Sequence, residues 1–225
     1  MKVTFYGHAC FGIEVAGKHL LFDPFISPNE LAANVKIEEI PADYILISHA
    51  HFDHVADVEA IAKRTEATLI SNYEIITYFG KKGLKGHPMN HGGSWKFDFG
   101  TVQYVNAVHT SSFEDGSYGG NPGGFVVSAE EGSFYFSGDT ALTYDMKLIS
   151  EDYSLKFAIL CMGDNFTMGV KDAIKAANFV ACDQIIGMHF DTFGYIKIDH
   201  EAAVKQFGTA GKNLNLLEIG QAIEI

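Results

Sequence analysis

Four side chains able to ligate a metal fall within six residues, His49-Ala50-His51-Phe52-Asp53-His54, at a point where the local pattern of the chain changes. The run before it, Tyr44-Ile45-Leu46-Ile47, is short and apolar, of the buried-strand type, while Val55, Val58, Ile61 and Ala62 recur at helical spacing beyond it. A segment that bridges a strand end and a helix start is held from both sides. His49 and His51, two residues apart at the strand terminus, can point to one side, and the turn that follows can aim Asp53 and His54 at a neighbouring point. Neutral imidazole and ionised carboxylate supply the lone pairs that a cation needs, and rigid flanks fix their geometry. A solvated loop that merely happens to be rich in histidine seldom has such flanks.

One short segment could therefore serve two metals. Four ligands cannot complete two sites that keep positions open for substrate, so the fold must bring further His or Asp to the hexapeptide. Three candidates are present: His109 after the strand pattern Thr101 to Val108, Asp139 after Ser133 to Phe136, and His189 after Gln184 to Met188. Each lies just past the C-terminal end of an apolar run, where α/β folds carry functional groups. Any one alone would more often be a helix cap or a hydrogen-bonded edge residue; three together favour ligands.

The remainder of the chain runs twice from strands into helix-strand alternation. Lys2 to Tyr6, Phe11 to Val15 and His19 to Phe22 read as a β meander, Thr68 to Ser71 as a further strand, Tyr73 to Phe79 as a helix, and Gly80 to Gly93 as a loop. Strands follow at Ser94 to Phe97, Thr101 to Val108, and a hairpin of Phe125 to Ser128 with Ser133 to Phe136. Phe157 to Cys161 and Gln184 to Met188 are buried-strand candidates separated by a helix with Val170, Ile174, Ala177 and Ala181 on one face, and Asp199 caps a last helix that ends before Gly211. With no linker and no sequence repeat, residues 1–225 read as a single α/β domain of four layers, two sheets packed together with helices outside.

These residues resemble the metallo-β-lactamase-fold hydrolases, whose hallmark is a His-x-His-x-Asp-His loop followed by a His, an Asp and a His; the resemblance spans the chain. Gly7-His8-Ala9-Cys10, Asn90-His91-Gly92-Gly93 and Gly163-Asp164-Asn165-Phe166-Thr167-Met168-Gly169 look like a bacterial subgroup of metal-dependent hydrolases related to the ascorbate-phosphate lactonases. The resemblance implies a four-layer αββα sandwich and two divalent cations, with His49, His51 and His109 on one, Asp53, His54 and His189 on the other, and Asp139 bridging. Two such ions, roughly 3.5 to 4 Å apart, would share a water and lower its pKa towards about 7. The resulting hydroxide is the expected nucleophile against a lactone, ester, amide or phosphodiester in a small metabolite, with Asp53 orienting it or taking its proton. Zinc is the expected metal, while Mn²⁺, Fe²⁺ and Ni²⁺ also suit an all His/Asp set.

Asp23, ending a strand in Phe-Asp-Pro, is expected to hold a ligand histidine through a hydrogen bond, the alternative being a turn-forming Asp before Pro. His8 and His91, in glycine-flanked loops, and Asp164 and Asn165, after the apolar run ending at Cys161, are the expected substrate contacts. Cys10 reads as a small core hydrophobe, and the cluster Lys81, Lys82 and Lys85 as a solvated face, with an anion site as the lesser alternative.

Other classes fit less well. Sixteen Lys+Arg against 28 Asp+Glu give a net charge of −12, which opposes nucleic-acid binding and hence an RNA-processing nuclease on the same fold. His51 stands where flavin-linked di-iron relatives carry a glutamate, which argues against a redox enzyme. No apolar run approaches the roughly 20 residues of a membrane span, no signal peptide is visible, and three widely spaced cysteines suit free thiols in a cytoplasmic protein. The lactonase relatives assemble, which leaves a homo-oligomer open, although no isolated apolar helix face demands one.

Overall fold

The computed structural model describes all 225 residues. Strands β1 (Lys2–Gly7), β2 (Cys10–Val15) and β3 (Lys18–Phe22) form the expected antiparallel meander. β4 (Tyr44–Leu46), β5 (Thr68–Asn72) and β6 (Gly86–Met89) then add in parallel to β3. Between them lie a single turn α1 (Phe52–Val55) and the helices α2 (Val58–Thr65) and α3 (Tyr73–Gly80). The second sheet begins with antiparallel β7 (Ser94–Phe97), β8 (Gly100–Asn106), β9 (Gly123–Ala129) and β10 (Gly132–Phe136). After α4 (Met146–Asp152) it continues in parallel through β11 (Leu155–Cys161), β12 (Gln184–Met188) and β13 (Asn213–Asn215), with α5 (Val170–Phe179) and α6 (His200–Thr209) as crossovers. The closing strand β14 (Ala222–Glu224) returns to pair with β1, giving two sheets of seven strands.

The layers follow from which faces are apolar. Alternating inward residues of both sheets, among them Val3, Phe5, Phe22, Phe125, Phe134 and Phe136, are fully or almost fully buried in one core between the sheets. Phe22 of the first sheet meets Phe136 of the second at 4.8 Å and Phe134 at 5.9 Å between ring centroids. A second core lies outside the first sheet, where Val58, Ile61 and Ala62 of α2 and Ile75 and Phe79 of α3 cover Ile45, Ile47 and Leu69. On the other side α5 presents Ala173, Ala176 and Ala177, small residues that let it lie close to the second sheet, and α6 inserts Phe207. The result is the four-layer αββα sandwich.

The pairing pattern also fixes where loops gather. β1, β3 and β4 run in one direction, and so do β8, β10 and β12, since two antiparallel steps restore the sense. Residues that follow these six strands therefore collect at one edge of each sheet.

Some elements depart from the sequence reading. The helical pattern from Val55 to Ala62 is interrupted because the buried Asp57 carboxylate accepts the backbone N–H groups of Ile26 (2.6 Å) and Ser27 (2.8 Å), which pulls the chain out of helix between α1 and α2. The Gly80 to Gly93 loop contains β6, an edge strand that tolerates Pro88 because one side needs no partner. α4, β13 and β14 carry too little periodicity to be read locally. Phe134, stacked on Phe157 at 4.9 Å and fully buried, is remote from the functional edge. Phe134→Ala should lower the unfolding free energy by about 3–5 kcal/mol; a urea titration giving a loss below about 1 kcal/mol would show that the inter-sheet core is not the main source of stability.

Candidate metal centre

Nine side chains from the ends of six equally directed strands meet at this edge. His8 follows β1, Asp23 follows β3, the hexapeptide follows β4, and His109, Asp139 and His189 follow β8, β10 and β12. Three of them, His8 (φ 55°), Asp23 (φ 40°) and His189 (φ 59°), hold left-handed backbone, rare for residues with a side chain and concentrated at functional sites. Beside Asp139, Gly138 (φ 57°) is so closely packed that a Cβ there would lie 2.7 Å from the Gly123 carbonyl oxygen of β9 and 2.7 Å from Ser48 Cβ, which follows β4 of the first sheet.

Asp139 is the hub. Its Oδ2 lies 2.8 Å from His189 Nε2, 3.4 Å from His54 Nε2, 3.7 Å from His109 Nε2 and 4.0 Å from His49 Nε2. Asp53 Oδ2 lies 3.0 Å from His8 Nε2, 3.7 Å from His189 Nε2 and 3.9 Å from His54 Nε2. His49 Nε2 and His51 Nδ1 face one another at 3.0 Å. His49, His51 and His109 form one group of donors and His8, Asp53, His54 and His189 another, the atoms of each within 4.8 Å of one another, and a third group, Asp23, His49 and His54, links the two from behind.

Hydrogen bonds from behind fix the ring orientations. Asp23, fully buried, accepts the Ser48 amide at 2.7 Å, the Ser48 hydroxyl at 2.5 Å and His54 Nδ1–H at 2.8 Å. The Ser48 hydroxyl in turn accepts His49 Nδ1–H at 2.9 Å. Both histidines are thereby held with Nε2 directed at Asp139. His54 Nε2, Asp139 Oδ1 and His189 Nδ1 are buried without a hydrogen-bond partner, a costly state that a cation would relieve at the first two.

Electrostatics give the same picture. Burial disfavours charge at Asp139 and Asp53, but the positive His189 and His54 beside Asp139, and His54 beside Asp53, hold both carboxylates well below the usual range. Burial likewise opposes charge on His54 and His189, yet the facing carboxylates, Asp139 first, pull His54 well up and His189 up to about 9. Burial depresses His49, His51 and His109, and takes His8 down to about 4. The pocket stabilises positive charge where the Nε2 atoms meet, and the donor set fits divalent cations.

A model of the β-lactamase superfamily domain matches residues 2–189, a stretch running from β1 to His189 itself. The chain is 61% identical over 225 residues to a UPF0173 metal-dependent hydrolase of Flavobacterium johnsoniae and 57% identical over 226 residues to one of Christiangramia forsetii, each covered over its full length. The protein belongs to this superfamily. It is a metal-dependent hydrolase, as those relatives are named. Among solved structures it resembles Igni18, a metallo hydrolase of Ignicoccus hospitalis, at 30% identity and a TM-score of 0.89, over 99% of this chain and 97% of that one.

In this hydrolase the remaining sequence candidates are placed as follows, Cys10 and Lys82 in keeping with the core and solvated-face readings. His8 does not face solvent: its ring is buried, Nε2–H donates to Asp53, and Nδ1 accepts the Thr192 hydroxyl at 2.9 Å. His91 is drawn away to the Pro122 carbonyl (2.8 Å) and the Tyr104 ring. Asp164 and Asn165 both adopt left-handed backbone in a turn where Asp164 Oδ1 accepts the Asn165 amide, and neither bonds to the cluster. Cys10 packs in the core outside the first sheet, its thiol pushed up by burial. Lys82 is engaged by Glu59 at 2.9 Å. Ser48 and Thr192 went unnoticed in the sequence; adjacency to His49 could have flagged Ser48, whereas nothing local marks Thr192.

Gly138→Ala should displace Asp139 or the strand end behind it and destabilise the hydrolase by roughly 1–3 kcal/mol. Calorimetric unfolding unchanged from the parent would show that the close approach to Ser48 is not needed.

Proposed function

We propose that two divalent cations bind at this edge, His49, His51 and His109 holding one, Asp53, His54 and His189 the other, with Asp139 shared. The observation that carries the reading is the single oxygen, Asp139 Oδ2, within reach of histidines from both donor groups. Zinc suits the set best, with manganese, iron and nickel able to use the same donors. Bound cations supply Lewis acidity and a coordinated water acidic enough to react near neutral pH.

The chain's own residues do the rest. Asp23 and Ser48 hold His54 and His49 in the ligating tautomer. His8 grips Asp53 Oδ2 and leaves Oδ1 free. Asp53, 23% exposed while Asp23 and Asp139 are buried, is the carboxylate that can take a proton from the attacking water and return it to the leaving group. The substrate is a small molecule with a lactone, ester, amide or phosphodiester bond. Three buried free thiols suit a cytoplasmic setting.

Metal analysis after loading and dialysis should give about two divalent ions per chain, falling below one in Asp139→Ala. In a metal-replete screen of lactones, phosphodiesters and thioesters, His51→Ala should lose at least about a hundredfold in turnover while remaining folded. One ion or none per chain, or undiminished turnover in His51→Ala, would overturn the proposal.

Loading should also release protons. His54 and His189 are shifted up and so are protonated at pH 7 without metal, whereas Asp53 and Asp139 are shifted down and already ionised. Metal can ligate the two imidazoles only as their protons leave, so about two protons per chain should be released. Calorimetric titrations in buffers of different ionisation enthalpy read this number; no release, or uptake, would contradict the assignment.

A further inference from the structure

The loops around the metal centre are strongly acidic. Residues 7–12, 23–43, 47–57, 107–122, 137–145, 162–169 and 189–199 contain fourteen carboxylates against two lysines, Lys36 and Lys197, and no arginine. Lys36 pairs with Glu39 at 3.2 Å, and Lys197 lines a separate depression with Asp164 and Asp172. An anionic substituent held away from the cations would lose hydration and meet mainly like charge.

What the loops carry instead is aromatic surface. Phe52, 40% exposed and adjacent to Asp53, packs edge-on against Phe25 at 5.7 Å. Phe25 meets Phe193 at 6.3 Å, and Phe193 stands against the His8 ring at 5.4 Å. Tyr195, 79% exposed, meets Phe166, 52% exposed, at 6.3 Å. Phe166, Phe193 and Tyr195 line a cleft of about 640 Å³ together with Pro28, Thr192, Gly194 and Glu30, its one charged residue. The Thr192 hydroxyl also binds His8 Nδ1, so a single imidazole separates this cleft from Asp53. Its volume is that of a small-molecule site, and exposed aromatic rings beside a polar centre are the composition of a ligand pocket.

We propose that this cleft takes the body of the substrate and that this body is an uncharged, flat apolar group of aromatic-ring size, an anionic group in the same position being rejected. The proposal rests on the hydrolytic reading of the metal centre and narrows its substrate to molecules in which the scissile bond is joined to such a body. Phe193 and Tyr195 supply ring faces for stacking, Phe166 closes the far side, and the surrounding carboxylates discriminate against negative charge.

Naphthylmethanol and naphthalenesulfonate share a ring system and differ in charge, and the sulfonate is a poor metal ligand. Titrated into the zinc-loaded protein and followed by amide chemical shifts, the neutral probe should perturb Phe166, Phe193, Gly194 and Tyr195 and bind roughly tenfold or more tightly than the sulfonate. Phe193→Ala and Tyr195→Ala should each weaken the neutral probe by roughly fivefold with metal content unchanged. Equal or tighter binding of the sulfonate, no binding of the neutral probe, or shifts confined to other surfaces would overturn the proposal. Probe binding needs no turnover, so the two readings fail separately. A chain that loads metal and hydrolyses but ignores probe charge defeats this inference alone, and one that discriminates between probes without holding metal defeats the hydrolytic reading alone.

Discussion

One buried oxygen sets the terms for the rest of the structure. Asp139 Oδ2 sits among imidazoles that belong to different sheets, His49 and His54 from the first and His109 and His189 from the second. An isolated carboxylate in that position would be strongly disfavoured, and only positive charge facing it makes burial tolerable. The contact therefore requires the two sheets to close to a fixed separation, which the rings of Phe22 and Phe136 set just behind it. The apolar sandwich acts as the jig that holds the donor atoms at ligating distance. Because protein interiors are close-packed, that distance has little freedom to drift.

Strand direction explains how residues far apart in sequence reach this oxygen, and strained backbone explains how they turn inward. A side chain just beyond a strand would continue the alternation between faces and miss the edge. The left-handed conformations at His8, Asp23 and His189 double the chain back so that each ring or carboxylate points across the strand ends. Each such conformation costs about 1–3 kcal/mol and persists where the surrounding contacts over-determine it. Asp23, accepting three hydrogen bonds while fully buried, is the clearest case.

Much of this was legible because it is local. The hexapeptide announces itself through spacing and flanks, and His109, Asp139 and His189 each sit a few residues beyond a readable strand. Their grouping was not legible from spacing, since it depends on which strands neighbour which, and only a family resemblance suggested it. Flanking glycine marks His8 as a place where backbone can approach a ligand closely; Gly7 (φ 109°) packs where a Cβ would lie 2.8 Å from Asn29 Nδ2, and the His8 ring is buried against Asp53. Asp164, read as lining a pocket or capping the next helix, accepts the Asn165 amide through Oδ1 and lines a depression with Lys197. β14 shows the general limit, since three residues carry no periodic signal and their pairing with β1 is decided by the tertiary fold.

The charge distribution joins the metal centre to the substrate cleft. A lysine or arginine near the donors would repel the cations and compete with them for Asp53 and Asp139, so a site built from buried imidazoles and carboxylates loads best where basic residues are kept away. The connections at this edge come near that condition, with fourteen carboxylates against Lys36 and Lys197. The same condition leaves the substrate's body without a counter-charge, and aromatic side chains occupy the surface that a basic residue would otherwise hold. In the proposed reading, cation binding and rejection of an anionic substrate body are two consequences of that one charge distribution. The net charge of −12 is in this sense not a diffuse surface property, because part of it is placed where it acts on both.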